Sequence, residues 1–309
     1  MINPEPDVAP VSPERQWREG ILSALIAYLV WGFLPVYFIL VKTVPALELL
    51  AHRVIWAVPF GALIIHLRRQ WPEVRWAFTH PVTMVYMVAT SILIAGNWLV
   101  YIWAVQQDQI FQASLGYYIN PLLFAVAGVF LLGEHLRRQQ VLAVWLAAIG
   151  VVVLTVSGGT LPAIALFLGS SFTVYGIIRK KAAIRAMPGL FIETILLLPV
   201  AVVYLLILMS RDQAVFGTGG AATTSILLLA GPLTVIPLLF FALAAKRLPL
   251  ATLGMMQFLA PTLQFLVGVY YGEQLTTAHI ICFACIWGAV LLFSVDAVQA
   301  NRKLAKSRP

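Results

Sequence analysis

Hydrophobic residues gather along this chain into ten long stretches separated by short polar segments. They lie near 20–41, 45–66, 80–104, 112–132, 139–157, 161–179, 187–210, 223–244, 250–271 and 277–296. An α-helix needs roughly 20 apolar residues to cross a bilayer, and each stretch is close to that length. None shows the alternating ten-residue segments of a membrane β-barrel. The pattern predicts an all-α membrane protein with ten transmembrane helices. Pro35, Pro59, Pro121, Pro199, Pro237 and Pro261 fall inside these stretches. Each removes a backbone donor and tends to kink its helix, and Pro121 and Pro261 are expected to bend helices that line a cavity.

Composition agrees. Of 309 residues, 61% are hydrophobic and only 10% charged, with a mean hydropathy of +0.92, against about 25% charged in soluble domains. The net charge of +8 comes from short basic runs between apolar stretches. There is no basic face interleaved with aromatics, so nucleic acid is not an expected partner. The runs order the topology instead. With a cytoplasmic N-terminus, 17 of the 20 Lys and Arg residues fall on the cytoplasmic side. They are Arg15 and Arg18, then Arg68, Arg69 and Arg75, Arg137 and Arg138, and Arg179, Lys180, Lys181 and Arg185. Lys246 and Arg247, and Arg302, Lys303, Lys306 and Arg308, complete the set. Lys42 and Arg211 fall outside, and Arg53 lies within a span. The positive-inside rule then puts both termini in the cytoplasm. The Pro-rich tail 1–19 is expected to be disordered, and 297–309 reads as a basic cytoplasmic tail. The first apolar run lacks a small-residue cleavage site, so it reads as a retained span.

One segment occurs twice. Ala113-Ser114-Leu115-Gly116, then Pro121, then Gly133-Glu134 is answered by Ala251-Thr252-Leu253-Gly254, then Pro261, then Gly272-Glu273. The copies lie in the fourth and ninth spans, an odd number apart, so they cross in opposite directions. His135-Leu136-Arg137-Arg138 follows the first copy and Gln274-Leu275-Thr276-Thr277 the second. The arginines occur only where the loop is predicted to be cytoplasmic. Val30-Trp31-Gly32 matches Val174-Tyr175-Gly176, and Pro45 with Glu48 matches Pro188 with Glu193. The chain therefore reads as two inverted five-helix repeats, 20–157 and 161–296, joined by Gly158-Gly159-Thr160. Such repeats usually place a transport site at their interface.

This organisation resembles the EamA family of the drug/metabolite transporter superfamily. So do the stretches Tyr28-Leu29-Val30-Trp31-Gly32, His52-Arg53-Val54-Ile55-Trp56, Gly96-Asn97-Trp98 and Ala113-Ser114-Leu115-Gly116-Tyr117-Tyr118-Ile119-Asn120-Pro121, with Tyr175-Gly176 and Glu193-Thr194. The resemblance covers nearly the whole chain. It implies the ten-helix fold, a place in the bacterial inner membrane and a transporter class, and it names no substrate.

Charge inside a bilayer costs about 2.5 kcal/mol or more at the centre, so intramembrane ionisable residues are functional candidates. The second span holds Glu48, His52 and Arg53. Glu48 and His52 are about 40° apart on a helix and share a face, whereas Arg53 points about 140° from Glu48. One reading puts Arg53 and His52 in a central cavity, Arg53 attracting an anionic substrate and His52 with Glu48 carrying a proton. The other makes Glu48 interfacial, Arg53 a snorkelling side chain and His52 a backbone-bonded one. Glu193 is the inverted counterpart of Glu48. It either titrates as a gate or pairs with the basic residues between Arg179 and Arg185.

Helical spacing also aligns polar residues. Asn97 and Tyr101 are i and i+4, Tyr117 and Asn120 are i and i+3, and Ser171 and Tyr175 share a face. Gln257, Pro261 and Gln264 fall within about 40° of one another. With Trp31 they suit a cavity lined by aromatics and amides, or they serve as interhelical hydrogen bonds worth about 0.6 kcal/mol each. Cys282 and Cys285, the only cysteines, lack His or acidic neighbours and read as small packing residues. Gly128 and Gly150 read as close helix contacts. His66, His80, His135 and His279 show no metal-ligand spacing. Gly169-Ser170-Ser171 has no partner His, and no Walker A sequence is present.

The sequence thus predicts a secondary transporter, not an enzyme, that uses no cofactor or metal. It would move a small organic metabolite or drug-like compound by alternating access, through proton-coupled export or else uniport. An amino-acid exporter is the second transport reading, and a lipid flippase or scaffold stands outside transport. The expected partners are the small-molecule substrate, membrane lipid and protons.

Overall fold

The computed structural model describes residues 13–132, 137–158, 161–248 and 250–306, with no strand among them. Thirteen helices follow in order: α1 (Pro13–Leu40), α2 (Ala46–Leu67), α3 (Trp71–Thr79), α4 (Pro81–Gln106), α5 (Ile110–Leu132), α6 (Arg138–Gly158), α7 (Ala163–Lys181), α8 (Ala186–Ser210), α9 (Gly220–Leu228), α10 (Ala230–Ala245), α11 (Leu250–Met256), α12 (Leu259–Tyr270) and α13 (Thr277–Lys306). Among the described residues, nine stretches are long and apolar enough to cross a membrane, with α9 and α10 counting together as Gly220–Ala245. The ninth expected span, 250–271, divides into the seven-residue α11 and the twelve-residue α12. Pro261 accounts for the break, because its nitrogen cannot donate to the carbonyl of Gln257 four residues earlier. Pro121, by contrast, lies inside a continuous α5. Residues 13–19, expected to be disordered, belong to α1, and α13 carries the helix through most of the expected C-terminal tail. The short helix α3 fills a segment read as loop.

Local chemistry sets the ends. Pro45 and Pro162 stand at the N-caps of α2 and α7, and Pro81 opens α4, where a missing N–H costs nothing. The ends of α2, α4, α8 and α12 share one device, a left-handed residue closing a Schellman motif. Those residues are Arg69, Asp108, Asp212 and Gly272, with φ of 53°, 55°, 54° and 80°. The next residue returns its N–H to the helix in each case, as with Gln70 to Ile65 at 2.9 Å and Glu273 to Gly268 at 3.0 Å.

Tight packing relies on small residues, as expected where lipid removes the hydrophobic drive between helices. A Cβ on Gly32 of α1 would strike Leu263 of α12, and one on Gly176 of α7 would strike Phe124 of α5. Gly231 of α10 lies against the backbone of Trp56 in α2. Gly150 of α6 packs on Cys282 and Cys285 of α13, so the cysteine pair sits in a helix seam. The opposite face of α6 exposes Leu142, Trp145, Ile149, Val152 and Val156 at helical spacing, a surface suited to lipid. The principal pairings are α1 with α10, α4 with α7, α1 with α12, α5 with α7, α2 with α10 and α4 with α8. The pairs α2–α8, α5–α12 and α6–α13 complete the bundle.

Candidate functional site

Helix α2 carries three buried ionisable residues, Glu48 and His52 on one face and Arg53 on another. Glu48 is 0% and His52 1% exposed, and Glu48 Oε1 lies 3.9 Å from His52 Nε2. Glu48 Oε1 accepts the backbone N–H groups of Val215 and Phe216 at 2.8 and 3.2 Å, so the α8–α9 loop covers it. Its Oε2 and the Nε2 of His52 are buried without hydrogen-bond partners. Trp56 Nε1 donates to His52 Nδ1 at 3.1 Å. In the neutral imidazole the proton therefore sits on Nε2, facing Glu48. The ring of Phe216 covers His52 at 4.8 Å.

Arg53 turns the other way, as helical geometry requires. It is 5% exposed, and its Nε donates to Thr234 Oγ1 of α10 at 3.1 Å. The guanidinium lies 4.4 Å from the Trp98 ring of α4 and 5.6 Å from that of Phe38 in α1. Tyr101 packs edge-on against Phe38 and Tyr117, and its buried hydroxyl has no partner. Tyr117 donates to Asn97 Oδ1 at 3.2 Å, while Asn97 Nδ2 donates to the Leu168 carbonyl and Ser171 of α7 at 3.0 and 2.9 Å.

Phe172 touches both Tyr117 and Tyr175, linking this group to a second buried acid. Glu193 is 0% exposed; Tyr175 donates to its Oε2 at 3.3 Å, and Arg179 Nε stands 3.4 Å from Oε1. Arg179 also donates to the carbonyls of Ile184, Arg185 and Ala186 and packs its guanidinium over Gly189. A third group joins α1 to α12. Gln264 Nε2 donates to the Trp31 carbonyl at 3.0 Å, and the Trp31 ring meets Tyr28 and Phe241 at 5.8 Å each. That carbonyl is free because Pro35, four residues on, has no N–H.

The expected polar set is thus divided. Arg53, Tyr101, Tyr117 and Asn97 come together, Tyr175 joins Glu193, and Trp31 joins Gln264. Asn120, with its amide oriented by its neighbours, donates to the Gly169 and Gly116 carbonyls at 3.1 and 3.2 Å, inside the α5–α7 seam. Gln257 is exposed at the α11–α12 break. Sequence reasoning missed Thr234, Phe38 and Tyr37 around Arg53, and helical spacing within one span could not have found them. Among the described residues, no group of three His, Cys, Asp or Glu could hold a metal.

The duplicated Gly-Glu pair gains a role at one end. Glu273, in the loop after α12, accepts the backbone N–H of Phe111 in α5 at 3.1 and 3.0 Å through its two oxygens. Burial raises its carboxyl from 4.5 to about 7, against the lowering effect of the Phe111 and Ile110 amides and with a small upward push from Asp108. Glu273 borders a cleft of about 550 Å³ shared with Gln109, Gln112, Ser157, Thr276 and His279. Gly133 and Glu134 lie outside the described residues.

Comparison with known proteins shows the family. The EamA-like transporter family matches residues 18–156. Protein RarD of Escherichia coli K12 is 44% identical over 293 residues, covering 94% of this chain and 99% of that protein. An uncharacterized transporter of Vibrio cholerae is 42% identical over 300 residues, covering 96% and 99%. One crystal structure superposes with a TM-score of 0.58 at 22% identity, covering 89% of this chain and 97% of that one, which shows a shared fold.

Proposed function

The chain belongs to the EamA-like transporter family, and on that premise we propose that it is a secondary transporter of a small organic molecule. It is a multi-pass membrane protein of bacterial inner-membrane type. In this reading, ten crossings form two inverted halves, 20–157 and 161–296, with both termini cytoplasmic. The halves exchange access between the two sides. The helix pairings carry it. Exchanging α1 for α7, α2 for α8, α4 for α10, α5 for α12 and α6 for α13 turns α1–α10 into α7–α4, α1–α12 into α7–α5 and α2–α10 into α8–α4. Each of these pairs is packed, and α2–α8, α5–α12 and α6–α13 map onto themselves. The family match, 18–156, coincides with the first half.

Coupling to protons is assigned to Glu48 and His52. Two buried titratable groups stand 3.9 Å apart, each with an unpartnered atom. A proton moving between them would add or remove charge at the point where Glu48 grips the α8–α9 loop. In the proposed orientation this end faces outward, so protons entering there would drive export.

Purified protein in liposomes tests the proposal, with a compound panel on one side and a pH gradient imposed across the membrane. Substrate-dependent proton flux is expected, and Glu48→Gln should abolish the flux while leaving substrate counterflow. If no compound in the panel elicits flux or counterflow, the transport reading fails.

A further inference from the structure

Arg53 stands apart from the other buried charges. Among the described residues the buried carboxylates are Glu48, Glu193 and Asp296, and their basic neighbours are His52, Arg179 and Arg137. None is paired with Arg53, whose one hydrogen bond runs from Nε to the neutral hydroxyl of Thr234. A guanidinium does not shed its proton, and burying its charge without a partner is strongly unfavourable. Contacts with Trp98 and Phe38 offset only part of that cost. The site is therefore short of one negative charge in this conformation.

We infer that the cargo is a small organic monoanion with a flat, preferably aromatic body, its acid group seated on Arg53. This rests on the transport reading and narrows it to a substrate class. With Nε held by Thr234, the two Nη groups remain to form the fork that matches a carboxylate. The phenols of Tyr37, Tyr101 and Tyr117 lie within electrostatic reach of the guanidinium, and the Tyr101 hydroxyl still lacks a partner. It can donate to the same acid group. Trp98, Phe38 and the tyrosine rings supply flat apolar walls for the remainder of the molecule.

Charge sets the selectivity. A dianion would bring a second charge that this cluster has no cation to meet. An α-amino acid would bring an ammonium. Its nearest buried acid on this helix, Glu48, projects about 140° away and is held by the Val215 and Phe216 amides. A neutral isostere would leave the guanidinium unpaired.

Binding to the purified full-length protein tests the inference, read as quenching of Trp98 fluorescence against a Trp98→Phe control. The probes are benzoate, benzamide, phthalate and phenylalanine. Benzoate should bind at least tenfold more tightly than each of the other three, and Arg53→Met should reduce it to the level of benzamide. The same substitution should raise the melting temperature of the ligand-free protein, because it removes an unpaired charge, and a misfolded variant would not show that gain. Benzamide or phenylalanine binding as well as benzoate, or benzoate binding surviving Arg53→Met, overturns the inference. So does an equal thermal shift from chloride at the same concentration. Arg53-dependent benzoate binding without flux would sustain the inference and count against transport, whereas Arg53-independent transport of a neutral compound would do the reverse.

Discussion

Replacing Glu273 by Gln should remove a pH-dependent bias between conformations of the protein. The Glu273 carboxylate ties the end of α12 to the Phe111 amide in the first turn of α5, one copy of the duplicated segment held to the other. With the ends joined, burial lifts its carboxyl from 4.5 to about 7. If α5 and α12 part here during transport, the group returns to water and to its usual range near 4.3. Protonation favours the state with the higher pKa, so the joined state gains as pH falls through 7. Between pH 8 and pH 5.5 the gain is about 25-fold, or ~1.9 kcal/mol. The other ionisable groups nearby are Asp108, bound to Lys42 at 2.7 Å, and His279, whose Nδ1 is engaged by Thr276 at 2.7 Å. Spin labels at Gln109→Cys and Gln274→Cys, in a chain with Cys282→Ala and Cys285→Ala, report the separation by pulsed electron resonance in nanodiscs. The short-distance population should grow on acidification, and Glu273→Gln should hold it constant. A distribution indifferent to pH in the chain with Glu273, or an unchanged response in the variant, refutes the reasoning.

Two stability predictions follow from buried polar contacts. Gln264→Leu strands the Trp31 carbonyl and should cost about 1–3 kcal/mol. Adding Pro35→Ala restores an intrahelical donor and should recover at least half of that loss in thermal unfolding, and no recovery would show that the Gln264 contact is incidental. Arg179→Ala leaves Glu193 buried beside no cation and should cost about 3–5 kcal/mol. Glu193→Gln in the same background should return most of it, and additive losses would rule out the pairing.

Much of the bundle is legible in the hydropathy pattern, because a helix in lipid must satisfy its own backbone and so declares its length in apolar residues. What hydropathy misses is a single absent donor, and the break at Gln257 and Phe258 depends on Pro261 in that way. Helix α3 is missed because nine residues carry too little periodicity. Within one helix the geometry is predictable: the i, i+4 pairing of Glu48 with His52 and the divergence of Arg53 both follow from about 100° per residue. Between helices it is not. Thr234 lies 181 positions from Arg53, and only tertiary packing brings it there. The same limit explains Asn120 and Gln257, whose spacing suggests a shared lining but whose neighbours place them in a seam and at an exposed break.

In the proposed reading the two halves match in packing and differ in charge, and the difference bears on where the proposed chemistry lies. Four residues after Tyr175 stands Arg179, the cation that neutralises Glu193; four residues after Trp31 stands Pro35, which has no charge to offer Glu48. Glu48 therefore relies on loop amides and His52, and one of its oxygens remains free. The second half likewise has leucine at 196 to 198, where Arg53 would have its counterpart, so the unpaired cation also belongs to α2 alone. In the proposed cycle the proton site and the cargo site are then neighbouring residues on one helix, His52 and Arg53, facing about 100° apart. A small rotation of α2 against α8 and α10 alters the surroundings of both at once. Gly231, which lets α10 touch the backbone of α2 at Trp56, is where such a rotation would be felt first. Coupling between proton and cargo needs no relay across the protein if it is carried by the rigidity of that single helix.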